Sequence, residues 1–123
     1  MKFGEEFREL RERKNKTQAD IAEVIGKSRM LVSGVETGKN NSFTDVDIEK
    51  IILALGLDSQ ESYRLRTGAA KAQDKLPPHI TRFLYENDGF LQIISEMAER
   101  NVGVNTLTRI ITYMEEILNV KND

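Results

Sequence analysis

Few side chains in this 123-residue sequence are of the kinds that carry out covalent chemistry. There is no cysteine, and the single histidine, His79, follows Pro77 and Pro78 at an expected helix start. Without a second nitrogen or sulfur ligand it makes a poor metal or catalytic candidate, and a surface or capping role is its default. Asp45, Asp47 and Glu49 cluster, but they open a helix, where negative charge suits the dipole and needs no metal. No glycine-rich phosphate loop, nucleophile–base pair or supported carboxylate dyad occurs. The residues point away from an enzyme and imply no cofactor and no metal.

Non-covalent recognition is better supplied. From Gln18 to Thr37 the polar residues Gln18, Lys27, Ser28, Arg29 and Ser33 alternate with Ile21, Ala22, Ile25, Val32 and Val35 at helical spacing. Thr17 is a good helix cap, and Asp20 three residues on completes a capping-box pattern. The helix so begun carries Ile21, Val24 and Ile25 and stops at Gly26, where a residue with positive φ ends it cheaply. Ser28 caps the next helix, which runs to Thr37 and ends at Gly38. Ala22 falls where two such helices crossing through a tight turn approach most closely, and a larger side chain there would push them apart. Ile21, Ile25, Val32 and Val35 fall on the faces that bury each other.

The surrounding elements are helical too. Phe3, Phe7 and Leu10 lie on one face of a first helix, with Arg8, Arg11 and Lys14 towards another. At least two of those three cations read as a solvated face paired with Glu12 and its neighbours. Lys39-Asn40-Asn41-Ser42 is a loop of turn formers. A fourth helix starts at Thr44, with Asp47 in the capping-box position, and carries Val46, Ile48, Ile51, Ile52 and Leu55 to Gly56. Asp58 and Glu61 open a fifth, through Tyr63 and Leu65. Thr67 to Lys75 is small and polar and reads as a connector, with partial helix left open. After Pro77-Pro78 come three further helical segments, around Ile80, Phe83 and Leu84, then Phe90 to Ala98, then Leu107 to Leu118. No strand pattern appears, so the fold class is all-α.

The runs Thr17-Gln18-Ala19-Asp20-Ile21-Ala22, Ile25-Gly26-Lys27-Ser28 and Val32-Ser33-Gly34-Val35-Glu36-Thr37-Gly38-Lys39 resemble the Xre/Cro family of lambda-repressor-like domains. The resemblance extends through Ile51-Ile52-Leu53-Ala54-Leu55-Gly56-Leu57 and covers roughly Phe3 to Leu65. It implies a five-helix bundle, here residues 1–72, that binds double-stranded DNA as a homodimer and most often represses transcription. It implies that Gln18 contacts a phosphate while bracing the recognition helix. Lys27, Ser28, Arg29, Met30, Ser33 and Gly34 would serve the DNA face, and Lys39, Asn40 and Asn41 would follow the backbone beyond it. The physics agrees for most of these: helix N-termini at Gln18 and Ser28 offer free N–H groups to phosphate. Arg29 has the forked geometry to read O6 and N7 of guanine, and a phosphate contact is an equal alternative. Met30 and Gly34 stand where the family more often presents polar, base-reading side chains. Met30 could pack on a thymine methyl, whereas Gly34 has nothing to offer a base.

Net charge is −2, which alone argues against nucleic acid, but its distribution matters more. Through Thr44 the chain is +2 and the remainder −4, so the acidic half is the one expected to stay off DNA. No apolar run approaches the roughly 20 residues of a membrane span. The first residues lack a signal-peptide layout, and with no cysteine the expected location is cytoplasmic.

The C-terminal unit, residues 76–123, carries the apolar stripe Leu107, Ile111, Met114 and Leu118. A unit this small buries little of itself. The stripe therefore packs on the first domain, on a second copy, or on another protein. The reading with most support is a repressor that dimerises through this stripe on a near-palindromic operator. An alternative is an antitoxin-like module that neutralises a protein partner through its C-terminal helices and binds DNA for autoregulation. A third is a helix-turn-helix scaffold whose DNA activity has lapsed.

Overall fold

A computed structural model describes residues 2–40 and 42–119, and among them every regular element is helical. In chain order these are α1 (Phe3–Arg13), α2 (Gln18–Ile25), α3 (Arg29–Thr37), α4 (Asp45–Leu55), α5 (Ser59–Ala72), α6 (Pro78–Glu86), α7 (Asp88–Glu99) and α8 (Val104–Asn119). The chain forms two compact units, one through Thr81 and one from Arg82, so the division falls within α6.

Local sequence sets the boundaries in the first unit. Thr17 Oγ1 accepts from the Asp20 amide (3.1 Å) while the Asp20 carboxylate accepts from the Thr17 amide (2.8 Å). Thr44 with Asp47 and Asp58 with Glu61 repeat this reciprocal cap at the starts of α4 and α5. Each box satisfies two amide groups that a helix start leaves without partners. Gly26 ends α2 at φ 67°, and the Lys27 amide closes back on the Ala22 carbonyl (3.0 Å).

Apolar faces then close on one core. α2 packs on α3 and α4, α1 on α3 and α5, and α4 on α5. Phe7, Ile21, Val32, Phe43 and Ile51 are its largest fully buried side chains, and Ala22, Ile25 and Val35 are buried beside them. Phe43 comes from the loop before α4 and sets its ring edge-on to Phe7, with centroids 4.8 Å apart. Close approach of α1 to α3 depends on Gly4. A β-carbon there would collide with the Val35 carbonyl oxygen and lie 2.5 Å from that of Glu36, and neither is free to move away.

One expectation is corrected. The stretch from Thr67 is no connector: α5 continues to Ala72, because Ala69 and Ala70 are buried in the core and Gly68 lets the ring of Phe3 lie against the helix. Alanine also has the highest helix propensity, so small residues here extend a helix rather than interrupt one. Of the three cations Arg8, Arg11 and Lys14, Arg11 is the one that leaves the solvated face, since it is buried on the α3 side of α1.

The second unit contrasts with the first. From Arg82 to Asn119 no residue is buried. Leu84, Leu91, Ile94, Met97, Val102 and Ile110 are half-buried, and the Phe83 and Phe90 rings meet edge-on at 6.1 Å. Leu107, Ile111, Met114 and Leu118 are all exposed, Leu118 to 79%.

Candidate nucleic-acid interface

The segment Gln18 to Thr37 folds as two short helices joined through Gly26, and the second of them, α3, is held from behind by one carboxylate. Glu36 lies on the buried side of α3. Arg11 grips it with two N–H groups, Nε at 2.7 Å and Nη2 at 3.0 Å, and donates a third to the Lys16 carbonyl (2.8 Å). Gln18, first residue of α2, donates its side-chain amide to the same carboxylate at 3.1 Å. A single buried acid thus ties α1, α2 and α3 together. The fork matches the carboxylate in geometry as well as charge. The hydrogen bond to Glu36 outweighs the cost of burial and raises the Arg11 pKa.

With its back fixed, α3 turns a short polar face outward. Ser28 caps the helix, its hydroxyl oxygen accepting from the Leu31 amide at 3.1 Å. Arg29 is exposed, Met30 is 81% exposed, and Ser33 is partly accessible. Lys39, just past the helix, is exposed as well. Among the described residues neither Arg29 nor Lys39 has a carboxylate within ion-pair distance. An unpaired cation beside a helix N-terminus with free amide groups is the arrangement that attracts a phosphate or a guanine edge.

Not all the residues expected here belong to that face. Lys27 points the other way: its Nζ lies 2.5 Å from the Asp47 carboxylate, so the turn of the motif is fastened to the start of α4. Asp47 sits almost wholly out of solvent, and burial pushes its pKa up. The Lys27 ammonium and the Thr44 hydroxyl and amide more than reverse this, and the net direction is down. Lys27 is therefore a structural ion-pair partner of Asp47. Gly34 lies on that face but is buried: the Asn40 side chain folds back over it and donates to the Leu31 carbonyl at 3.4 Å. Asn41 lies outside the described residues.

Arg11 and Glu36 were missed as a pair, although a signal existed. Arg11 follows Phe7 by four residues and adjoins Leu10; Glu36 follows Val32 by four and adjoins Val35. Opposite charges placed on two apolar faces mark a buried pair once those faces are known to meet.

The fold and this face define a helix-turn-helix protein. A family model described as "Helix-turn-helix domain" matches residues 2–65, and the chain belongs to that family. It is a helix-turn-helix DNA-binding protein. Comparison with curated proteins and with solved structures finds no match. Among the described residues no helix is long and apolar enough to cross a membrane.

Proposed function

We propose that this protein is an Xre-type transcriptional repressor, acting in the cytoplasm, that binds a near-palindromic operator as a homodimer. In this reading residues 1–72 bind DNA and residues 76–123 dimerise. The observation that carries it is the exposed end of α3, with Arg29, Met30 and Ser28 outward and Arg11–Glu36–Gln18 bracing it from behind. A rigid backing matters because a helix reads bases only if its side chains arrive in register. Two copies with recognition helices about 34 Å apart would enter successive major grooves. The exposed apolar residues of α7 and α8 supply a surface for the second copy.

Selection of binding sites from random duplexes by the intact protein tests this reading. A two-fold symmetric motif is expected. Arg29→Ala should cost about 1–3 kcal/mol on that site, and affinity should fall steeply with salt. If no motif emerges and binding is insensitive to Arg29 and Gln18, the assignment of α3 is wrong. The same apolar helices also fit an antitoxin-like role, in which a protein partner replaces the second copy. Sedimentation as a homodimer at micromolar concentration would exclude that role as the main one.

A further inference from the structure

Gly34 is unusual on a recognition helix because it has no side chain to offer, yet the structure leaves no gap there. Residue 34 lies about 200° around α3 from the buried Val32, beside the exposed Met30 and Thr37. It is on the outward face, and Asn40 returns from the loop to lie across it. A β-carbon on Gly34 would overlap the Asn40 amide nitrogen, and would sit 2.6 Å from its Cγ. The loop is folded for this return. The Gly34 carbonyl accepts from the amides of Lys39 (2.9 Å) and Asn40 (3.1 Å) and from the Thr37 hydroxyl (3.3 Å).

We propose that Asn40 is a base-reading residue that takes the place of the side chain Gly34 lacks. The proposal rests on the reading of α3 as the recognition helix, and it moves Asn40 from the phosphate backbone to the bases. One N–H of its carboxamide is engaged with the Leu31 carbonyl. The second N–H and the oxygen Oδ1 have no partner among the described residues. One donor beside one acceptor is the pattern that matches N7 and N6 of adenine in the major groove. Gly34 is then a positioning residue: its bare α-carbon is the seat that brings a loop side chain onto the helix face.

The test is binding-site selection with the intact wild type, Asn40→Ala, Gly34→Ala and the double variant, with thermal melting of each. Asn40 is exposed, and alanine at 34 displaces only a flexible side chain while favouring helix, so all four are expected to fold. Both single variants should lose preference at the same base pair, roughly 5- to 150-fold, with the rest of the motif unchanged. The double variant should lose no more than either single one, because both changes remove one contact. An Asn40→Ala protein that keeps the wild-type motif and merely binds every site more weakly would overturn the proposal. So would a Gly34→Ala protein that keeps the preference Asn40→Ala loses, since Asn40 would then not need its seat. A wild type that selects no motif overturns the regulator reading, and this proposal with it.

Discussion

At the scale of residues, the first unit depends on charges placed where charges are expensive. Glu36 is nearly inaccessible and Arg11 almost as much so, at 2.7 Å. Removing one partner strands the other, whereas removing both is far milder. Arg11→Met is therefore expected to cost about 3–5 kcal/mol, and Arg11→Met with Glu36→Leu much less. Urea unfolding of the wild type, both single variants and the double variant measures the difference, and a double-variant loss equal to the sum of the two single losses would mean that the pair is not coupled. Asp47, Glu49 and Glu61 have pKa values held below the ordinary carboxylate range. For Glu49 the main cause is its hydrogen bond from Arg66. For Glu61 it is the hydrogen bond from the Asp58 backbone amide, with Lys14 adding to it. A depressed native pKa means that the unfolded chain binds more protons, so stability rises with pH in that range. It is fully present above about pH 4–5, the ordinary carboxylate range, and is lost as pH falls through the native values. Asp47→Asn should flatten part of this acid slope in melts at successive pH values, and an unchanged slope would remove Asp47 as a cause.

At the scale of elements, most of the helix boundaries were legible and the close contacts were not. Caps are local: Thr17 with Asp20, Thr44 with Asp47 and Asp58 with Glu61 lie three residues apart, so sequence alone places them. The faces carrying Ile21, Ile25, Val32 and Val35 were legible for the same reason, since periodicity is local. Contacts across helices are not local. Nothing beside Gly4 in the sequence says that α3 carbonyls lie against it, and nothing beside Gly34 says that Asn40 will cover it. The Thr67–Ala72 stretch was misread because small residues are ambiguous, being common in linkers and equally suited to a tightly packed helix. Gly4→Ala probes one such contact. It meets backbone oxygen rather than a yielding side chain, so the loss should be about 3 kcal/mol, at the upper end for overpacking. Differential scanning calorimetry reads it, and a wild-type melting temperature would show that α1 and α3 can move apart freely.

At the scale of the whole molecule, the two units differ in how they satisfy their apolar side chains. The first buries Phe7, Phe43 and Ile51 within itself, whereas the second, from Arg82 to Asn119, buries none. A chain ending at Thr81 keeps the whole buried core and is expected to fold. If the second unit dimerises, sedimentation should give a dimer for the intact protein and a monomer for the shortened one. Ile111→Glu should reproduce the shortened state in the full chain. The same association state for all three would assign the α8 stripe to another partner.

The bareness of that second unit also governs how the chain meets a protease. Backbone hydrogen bonds in α6 to α8 are protected by half-buried side chains at best, so they open at small free-energy cost, while those of α1 to α5 open only with the core. Digestion should nick the chain after Thr81 first and leave a fragment with α3 still braced by Arg11 and Glu36. If the second unit dimerises as proposed, such a remnant would hold one half-site without a partner to hold the other. On that reading, trimming of the tail would convert a two-handed grip on DNA into a one-handed one, and the lifetime of the complex would be set by a half of the molecule that stays off the operator.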